Sequence, residues 1–294
     1  MDYFLALVMN GLLSGSVYAL VGMAFVVVYR ASTVLNFSLG EWVSLGTKAT
    51  GVSVQVLGLP ILPAVAAAIG AVIVLAIAFN RIVIRKLIGR PVVAVVMATL
   101  ALGVLMRAGS ALTLTGLPSA IPIPFEDALW VWGAVIIPPS RVLSSGVAIL
   151  LVVAMMLFFR LSRAGIAIRA VADDAQAATG VGISITRYLA LAWALSAALC
   201  VAGGVLWSID GLGGFGMGLV LAKVLPVVVI GGLTSFPGTI TGAVIVGLSE
   251  SLATGYLDPV IGTGSAGFIG AALVILTLWI RPTGLFGAAA VSRV

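Results

Sequence analysis

Nine apolar stretches, each close to the length of a bilayer-crossing helix, leave this chain little freedom in what it can fold into. They fall at about 4–29, 36–57, 61–80, 91–115, 142–159, 187–209, 219–235, 238–257 and 266–281. Roughly 20 apolar residues of helix cross a hydrocarbon layer about 30 Å thick. Lipid offers backbone N–H and C=O groups no partner, so each run must satisfy its own hydrogen bonds as a helix. The expected fold is all-α and polytopic: one domain over 1–294 with about eight or nine transmembrane helices, some interrupted. Composition agrees, since 62% of the residues are hydrophobic and 8% charged, against about 25% charged in soluble domains. The first run, in MDYFLALVMN and beyond, lacks a positive segment ahead of it and is expected to be retained as a helix, not cleaved as a signal peptide.

The loops set the orientation. Arg30, Arg81, Arg85, Lys86, Arg90, Arg160, Arg163, Arg169, Arg187, Arg281 and Arg293 fall on one side of the predicted spans, eleven of the fifteen basic residues. The other side holds Arg141 with Asp2, Glu126, Asp127, Asp210 and Asp258. The positive-inside rule makes the first side cytoplasmic, with the N-terminus out and the C-terminus in. Because the basic residues are scattered singly, the net charge of +6 points to membrane orientation and not to nucleic acid.

Two loops carry more than a connection. The cytoplasmic segment 160–187, RLSRAGIAIRAVADDAQAATGVGISITR, is the one long polar stretch. Good helix formers from Ile166 to Thr179, followed by Gly180 and Gly182, predict one short helix outside the bilayer. Its stripe of Ile168, Val171 or Ala172, Ala175 and Ala178 recurs at helical spacing, and its small side chains suit a close seat against another protein surface. A solvated linker is the plainer reading. The external segment 116–140 combines five prolines with Glu126, Asp127, Trp130 and Trp132. That predicts a structured hairpin at headgroup level, either a docking surface or an anchored connector.

Charge inside spans is costly, at least ~2.5–3.5 kcal/mol at the bilayer centre on insertion scales, and so marks candidate sites. Glu41, Lys48, Arg107, Lys223 and Glu250 fall there. Lys48 and Arg107 can snorkel to an interface. Glu41 sits near the cytoplasmic start of the second predicted span, where it either caps the helix or ties a gate. Lys223 and Glu250 bracket IGGLTSFPGT, and their spacing leaves an ion pair open. The glycines of GLGGFGMG at 211–218, of Gly231–Gly232 and of Gly242 and Gly247 allow close helix contact and interrupted helices.

Several chemistries are excluded. There is no histidine, hence no imidazole metal site or Ser-His pair, and the single Cys200 lies in an apolar run that suits core packing. Gly46-Thr47-Lys48 is followed by Ala49 and fails the phosphate-loop pattern GxxxxGK[ST], so an ATPase driving this chain would have to be a separate subunit.

Four motifs in order carry a family resemblance: GSVYAL at 15–20, NFSLGE at 36–41, GIAIRAVADDAQAATGVGIS at 165–184, and VVVIGGLTSFPGTITGAVIVGLSE with RPTGLFG near the C-terminus. The chain resembles the branched-chain amino-acid ABC permeases over nearly its whole length. The third motif is similar to their coupling segment, with Gly165, Arg169, Ala170, Asp174, Ala178, Gly182 and Ile183 in register. The resemblance implies a bacterial inner-membrane subunit of an ATP-driven importer, with a second permease chain, two cytoplasmic ATPases and an external solute-binding protein as partners. No cofactor is then expected in this chain, since ATP and Mg are bound by the ATPases.

On that basis Gly165, Arg169, Asp173, Asp174, Ala178 and Gly182 are the expected ATPase-coupling residues. Tyr18, Asn36, Ser38 and Glu41 are expected to face Gly231, Gly232 and Thr234 across the substrate path. Family members often carry histidine in NFAHGE where this chain has Ser38-Leu39, so the solute stays open between branched-chain amino acids and another small polar solute. A secondary transporter or channel, for urea or an aromatic acid, is the alternative.

Overall fold

The computed structural model of the chain describes residues 2–87, 90–118, 120–122, 130–132, 135–209 and 220–287. At its centre runs α1 (Asp2–Ser32), in which every side chain from Val17 to Val28 is buried. A helix apolar on all sides belongs in the middle of a bundle, and α1 contacts α6, α7, α9, α10 and α11 of the elements set out below. In chain order the elements are α2 (Leu39–Gln55), α3 (Ile61–Phe79), a π-helical turn (Asn80–Ile84), α4 (Arg85–Leu87) and α5 (Val92–Leu114). A short hairpin of β1 (Trp130–Trp132) and β2 (Val135–Ile137) follows. Then come α6 (Pro139–Leu161), α7 (Arg163–Asp173), α8 (Ala175–Gly180), α9 (Ile185–Trp207), α10 (Val220–Gly231), α11 (Phe236–Tyr256), α12 (Asp258–Ile261) and α13 (Ser265–Ile280).

The predicted spans coincide with these helices within a few residues. Six are long and apolar enough to cross a membrane: α1, the continuous rod Ile61–Leu87, α5, α6, α9 and α11. The chain is a helical multi-pass membrane protein, and the β1–β2 hairpin is its one sheet among the described residues. The hairpin is antiparallel, with Trp130 opposite Ile137 and Trp132 opposite Val135, and Trp130 is exposed. Glu126, Asp127, Asp210 and the glycine run 211–218 lie outside the described residues.

Small residues set how closely the helices approach. A Cβ on Gly11 would come within 2.8 Å of Gly247 O, and one on Gly15 within 2.9 Å of Ala243 O, so α1 and α11 touch backbone to backbone. Gly242 presses in the same way on the Val227 carbonyl of α10. Cys200 is buried in the core, as its apolar setting predicted.

The described part of α10, Val220–Gly231, is about 18 Å long, and antiparallel packing sets its Lys223 against Glu250 of α11. The predicted span 36–57 is helical only from Leu39. Residues 33–38 climb beside the first turns of α5 instead. There the Thr99 hydroxyl accepts from Phe37 N–H at 3.3 Å and lies 3.3 Å from Leu35 O.

Candidate translocation path and coupling elbow

The NFSLGE motif builds the deep start of α2. Asn36 Oδ1 accepts from Ser38 N–H at 3.1 Å and from Ser38 Oγ at 2.6 Å, and Trp42 Nε1 donates to Ser38 Oγ at 2.7 Å. Asn36 and Ser38 are both buried, so their expected place facing a path is corrected: they turn the chain into the helix. The next acid is the one set free. Glu41 stands at the third position of α2, beside Gly103 at the midpoint of α5, and so lies deep in the bundle and not at its cytoplasmic rim.

Arg107 comes to meet Glu41 from α5 and does not snorkel. Its Nε donates to Glu41 Oε1 at 2.8 Å, and its Nη2 reaches the same oxygen. The arginine side chain is 68% exposed and the glutamate 11%. Met97, Leu100 and Val104 on the same side of α5 are exposed as well. An arginine about 6 Å from the centre of a 23-residue helix costs several kcal/mol against lipid, so this face is expected to border water or protein.

A second pair lies on the far side of α10. Lys223 Nζ is 2.7 Å from Glu250 Oε2 of α11, Tyr18 Oη donates to the same oxygen at 2.9 Å, and the ammonium sits over the Tyr18 ring. Tyr18 stacks on Trp207. Sequence reasoning placed Tyr18 on the path but left this pair unassigned; two opposite charges in neighbouring apolar spans were the available signal.

Gly231, Gly232 and Thr234 stand elsewhere. They close the basic end of α10, about ten residues beyond the Leu221 that touches Gly40. Gly231 packs on Gly238, and Gly232, at φ +100°, packs on Gly287. Gly231 and Gly232 are thus packed backbone to backbone and do not face Tyr18 and Glu41 across a cavity within this chain, whereas Thr234 is exposed. Ser235 Oγ caps α11 by accepting from Gly238 N–H at 3.0 Å. Leu285 N–H and Phe286 N–H donate to Ile230 O at 2.8 Å and Gly231 O at 3.1 Å. RPTGLFG thus supplies the donors that the last carbonyls of α10 lack.

The segment 160–187 forms an elbow of two helices, not the one predicted. Gly165 lets α7 fold back on α6, since a Cβ there would meet Phe159 Cα at 2.6 Å, and Ser162 Oγ caps its amide at 2.9 Å. Asp174 breaks the helix in an extended conformation and starts α8 by accepting from Gln176 and Ala177 N–H, each at 2.9 Å. Gly182, at φ +84°, ends it: Ile183 N–H bonds Ala178 O at 2.9 Å and Gly182 N–H bonds Thr179 O at 3.0 Å, a left-handed C-terminal cap. The small apolar stripe turns inward, with Ile168, Val171 and Ala178 buried against the bundle. Facing out are Ile166, Asp173, Asp174, Ala177 and Val181, the last 76% exposed. Arg169 is half-buried, and it and Asp173 act electrostatically on Arg30 at the end of α1.

Apolar membrane-length helices, ion pairs between them and a helical elbow at the basic end mark a multi-pass membrane protein. Comparison with known proteins gives the family. The family model for the branched-chain amino acid transport system, permease component, matches residues 7–278, and the chain belongs to that family. It is 29% identical over 310 residues to the high-affinity branched-chain amino acid transport system permease protein LivH of Escherichia coli K12, covering 99% of this chain and 98% of LivH. The corresponding permease protein BraD of Pseudomonas aeruginosa is 28% identical over 306 residues, with the same coverage. Among solved structures, PsaBC from Streptococcus pneumoniae in complex with Fab shares the fold, with a TM-score of 0.52 at 15% identity over 95% of this chain and 93% of that one.

Proposed function

We propose that this chain is the inner-membrane permease subunit of an ATP-driven importer for a branched-chain amino acid or a similar small polar solute. It works with a second permease chain, two ATPases that bind ATP and Mg, and an external solute-binding protein. The observation that carries the reading is the elbow α7–α8. It is built by Gly165, Asp174 and Gly182 at family-motif positions and packs directly on α1, α6 and α9. A load on it therefore reaches the helices around the path.

Ligand-driven motion needs contacts that differ between two states. The elbow is the element best placed to make such contacts with an ATPase, through Ile166, Ala177 and Val181 on its outer face, while Asp173 attracts Arg30 at the end of α1 and Ala178 seats α8.

The test is transport in proteoliposomes. The chain, reconstituted with its partner permease, ATPases and binding protein, is expected to take up labelled leucine only when ATP is present on the ATPase side. Uptake that is independent of ATP and follows an ion gradient would support the secondary-transporter alternative instead.

A further inference from the structure

The two mid-membrane ion pairs differ in how completely their bonding capacity is used. Lys223 and Glu250 are closed: the ammonium has both the carboxylate and the Tyr18 hydroxyl, at 2.7 and 3.3 Å, and lies over an aromatic face. Arg107 and Glu41 are open. Both guanidinium donors in use, Nε and Nη2, converge on Oε1 alone. Among the described residues nothing engages Glu41 Oε2 or the remaining guanidinium N–H groups, and a guanidinium has five such donors. The exposure is lopsided in the same sense, 68% for the arginine side chain against 11% for the glutamate, so the unused donors face outward.

An open pair of this kind matches a zwitterion. A carboxylate fits the free edge of the guanidinium bidentately, and an α-ammonium can take the second oxygen of Glu41. Exchanging one ion pair for two leaves no charge unpaired inside the bilayer at any stage, which is the costly condition there. Position agrees, since Gly40 lies against Leu221 of α10 and Glu41 against Gly103 of α5, so Glu41 stands where α2, α5 and α10 meet.

We propose that Arg107 and Glu41 form the point in the path that recognises an amino-acid zwitterion, Arg107 binding the α-carboxylate and Glu41 the α-ammonium. The assignment rests on the permease reading and adds the residues that meet the two charges of the solute. It also implies that the α5 face carrying Arg107 lines the aqueous path between permease chains.

The test uses the complete complex in proteoliposomes with labelled leucine and urea. The wild type is expected to move leucine at least tenfold faster than urea. Arg107→Met and the charge-free Glu41→Gln/Arg107→Met variant are expected to lower maximal leucine uptake at least tenfold, with assembly and unfolding midpoint retained. Arg107→Lys, which keeps a point charge, should recover part of the rate. Glu41→Asp, which keeps the pair, should raise the leucine concentration for half-maximal uptake severalfold, and it covers the case in which the charge-free variant does not fold. Leucine uptake within twofold of wild type in Glu41→Gln/Arg107→Met would reduce the pair to a structural tie. Equal rates for urea and leucine in the wild type would overturn the zwitterion assignment while leaving an ATP-driven permease. Absence of ATP-driven uptake of either solute by the wild type would instead overturn the permease reading.

Discussion

Lys223 Nζ and Tyr18 Oη meet at one oxygen of Glu250, at 2.7 and 2.9 Å, so α1, α10 and α11 are tied at a single atom within the membrane. Lys223→Met leaves the carboxylate, 8% exposed, with only the tyrosine. Breaking a buried pair costs about 3–5 kcal/mol. Lys223 is one-third exposed, so about 1–3 kcal/mol is expected. Thermal unfolding in detergent should show the loss and a large recovery in Lys223→Met/Glu250→Gln, where no uncompensated charge remains. An unchanged midpoint for Lys223→Met would mean that the knot carries no load.

Glycines that look alike in sequence should separate sharply by position. Gly247→Leu places a side chain where α1 and α11 touch, and folded yield is expected to collapse, because overpacking of about 3 kcal/mol or more has no room to relax. Gly70→Ala in α3 meets nothing within 4 Å and should be neutral or stabilising by up to about 1 kcal/mol. Folded yield by size-exclusion chromatography compares the two, and equal behaviour would refute the packing argument.

Asp174→Ala removes Oδ1, the single oxygen that accepts from both Gln176 and Ala177 N–H at the start of α8. A lost N-cap costs about 1 kcal/mol, enough to fray a helix of six residues. Faster amide exchange confined to 175–180 is the expected result, with Asp174→Asn close to wild type.

The elbow has an inner and an outer face, and substitutions should sort accordingly. Ala178→Trp overfills the seat of α8 within this chain, so it should loosen the elbow even in the isolated permease. Val181→Asp changes only an exposed position and should weaken co-purification of the ATPases while leaving the unfolding midpoint unchanged. Normal ATPase binding by Val181→Asp would move the docking surface off this face.

What the sequence made legible follows from which forces are local. Lipid leaves an apolar run little alternative to helix, so the span positions could be read directly. The stop at Gly182 was equally readable, because a cap depends on the few residues beside it. Where α2 begins was not readable. Asn36 to Ser38 were read as the first turn of the span, and what holds them ahead of the helix is the Asn36–Ser38 bonding together with Thr99, far along the chain. The Glu41–Arg107 pair was hidden for the same reason, and each residue taken singly has a bland use as a helix cap or a snorkelling charge. The stripe on 166–179 was found but given the wrong side, since periodicity shows that a face is apolar and not what covers it.

The backbone clasp from residues 285 and 286 onto the end of α10 bears on how the protein is made. As the chain leaves the ribosome, α10 enters the membrane with its last carbonyls unpaired, and their partners are translated only after α11 and α13. Until then the last carbonyls of α10 lack the protein donors that will cap them. The C-terminal half of the bundle is therefore expected to lock late and as a unit, with insertion machinery or neighbouring helices sheltering α10 in the interval. A nascent chain stalled just after α13 should keep α10 accessible to protease or cysteine labelling, and release of the following residues should close it.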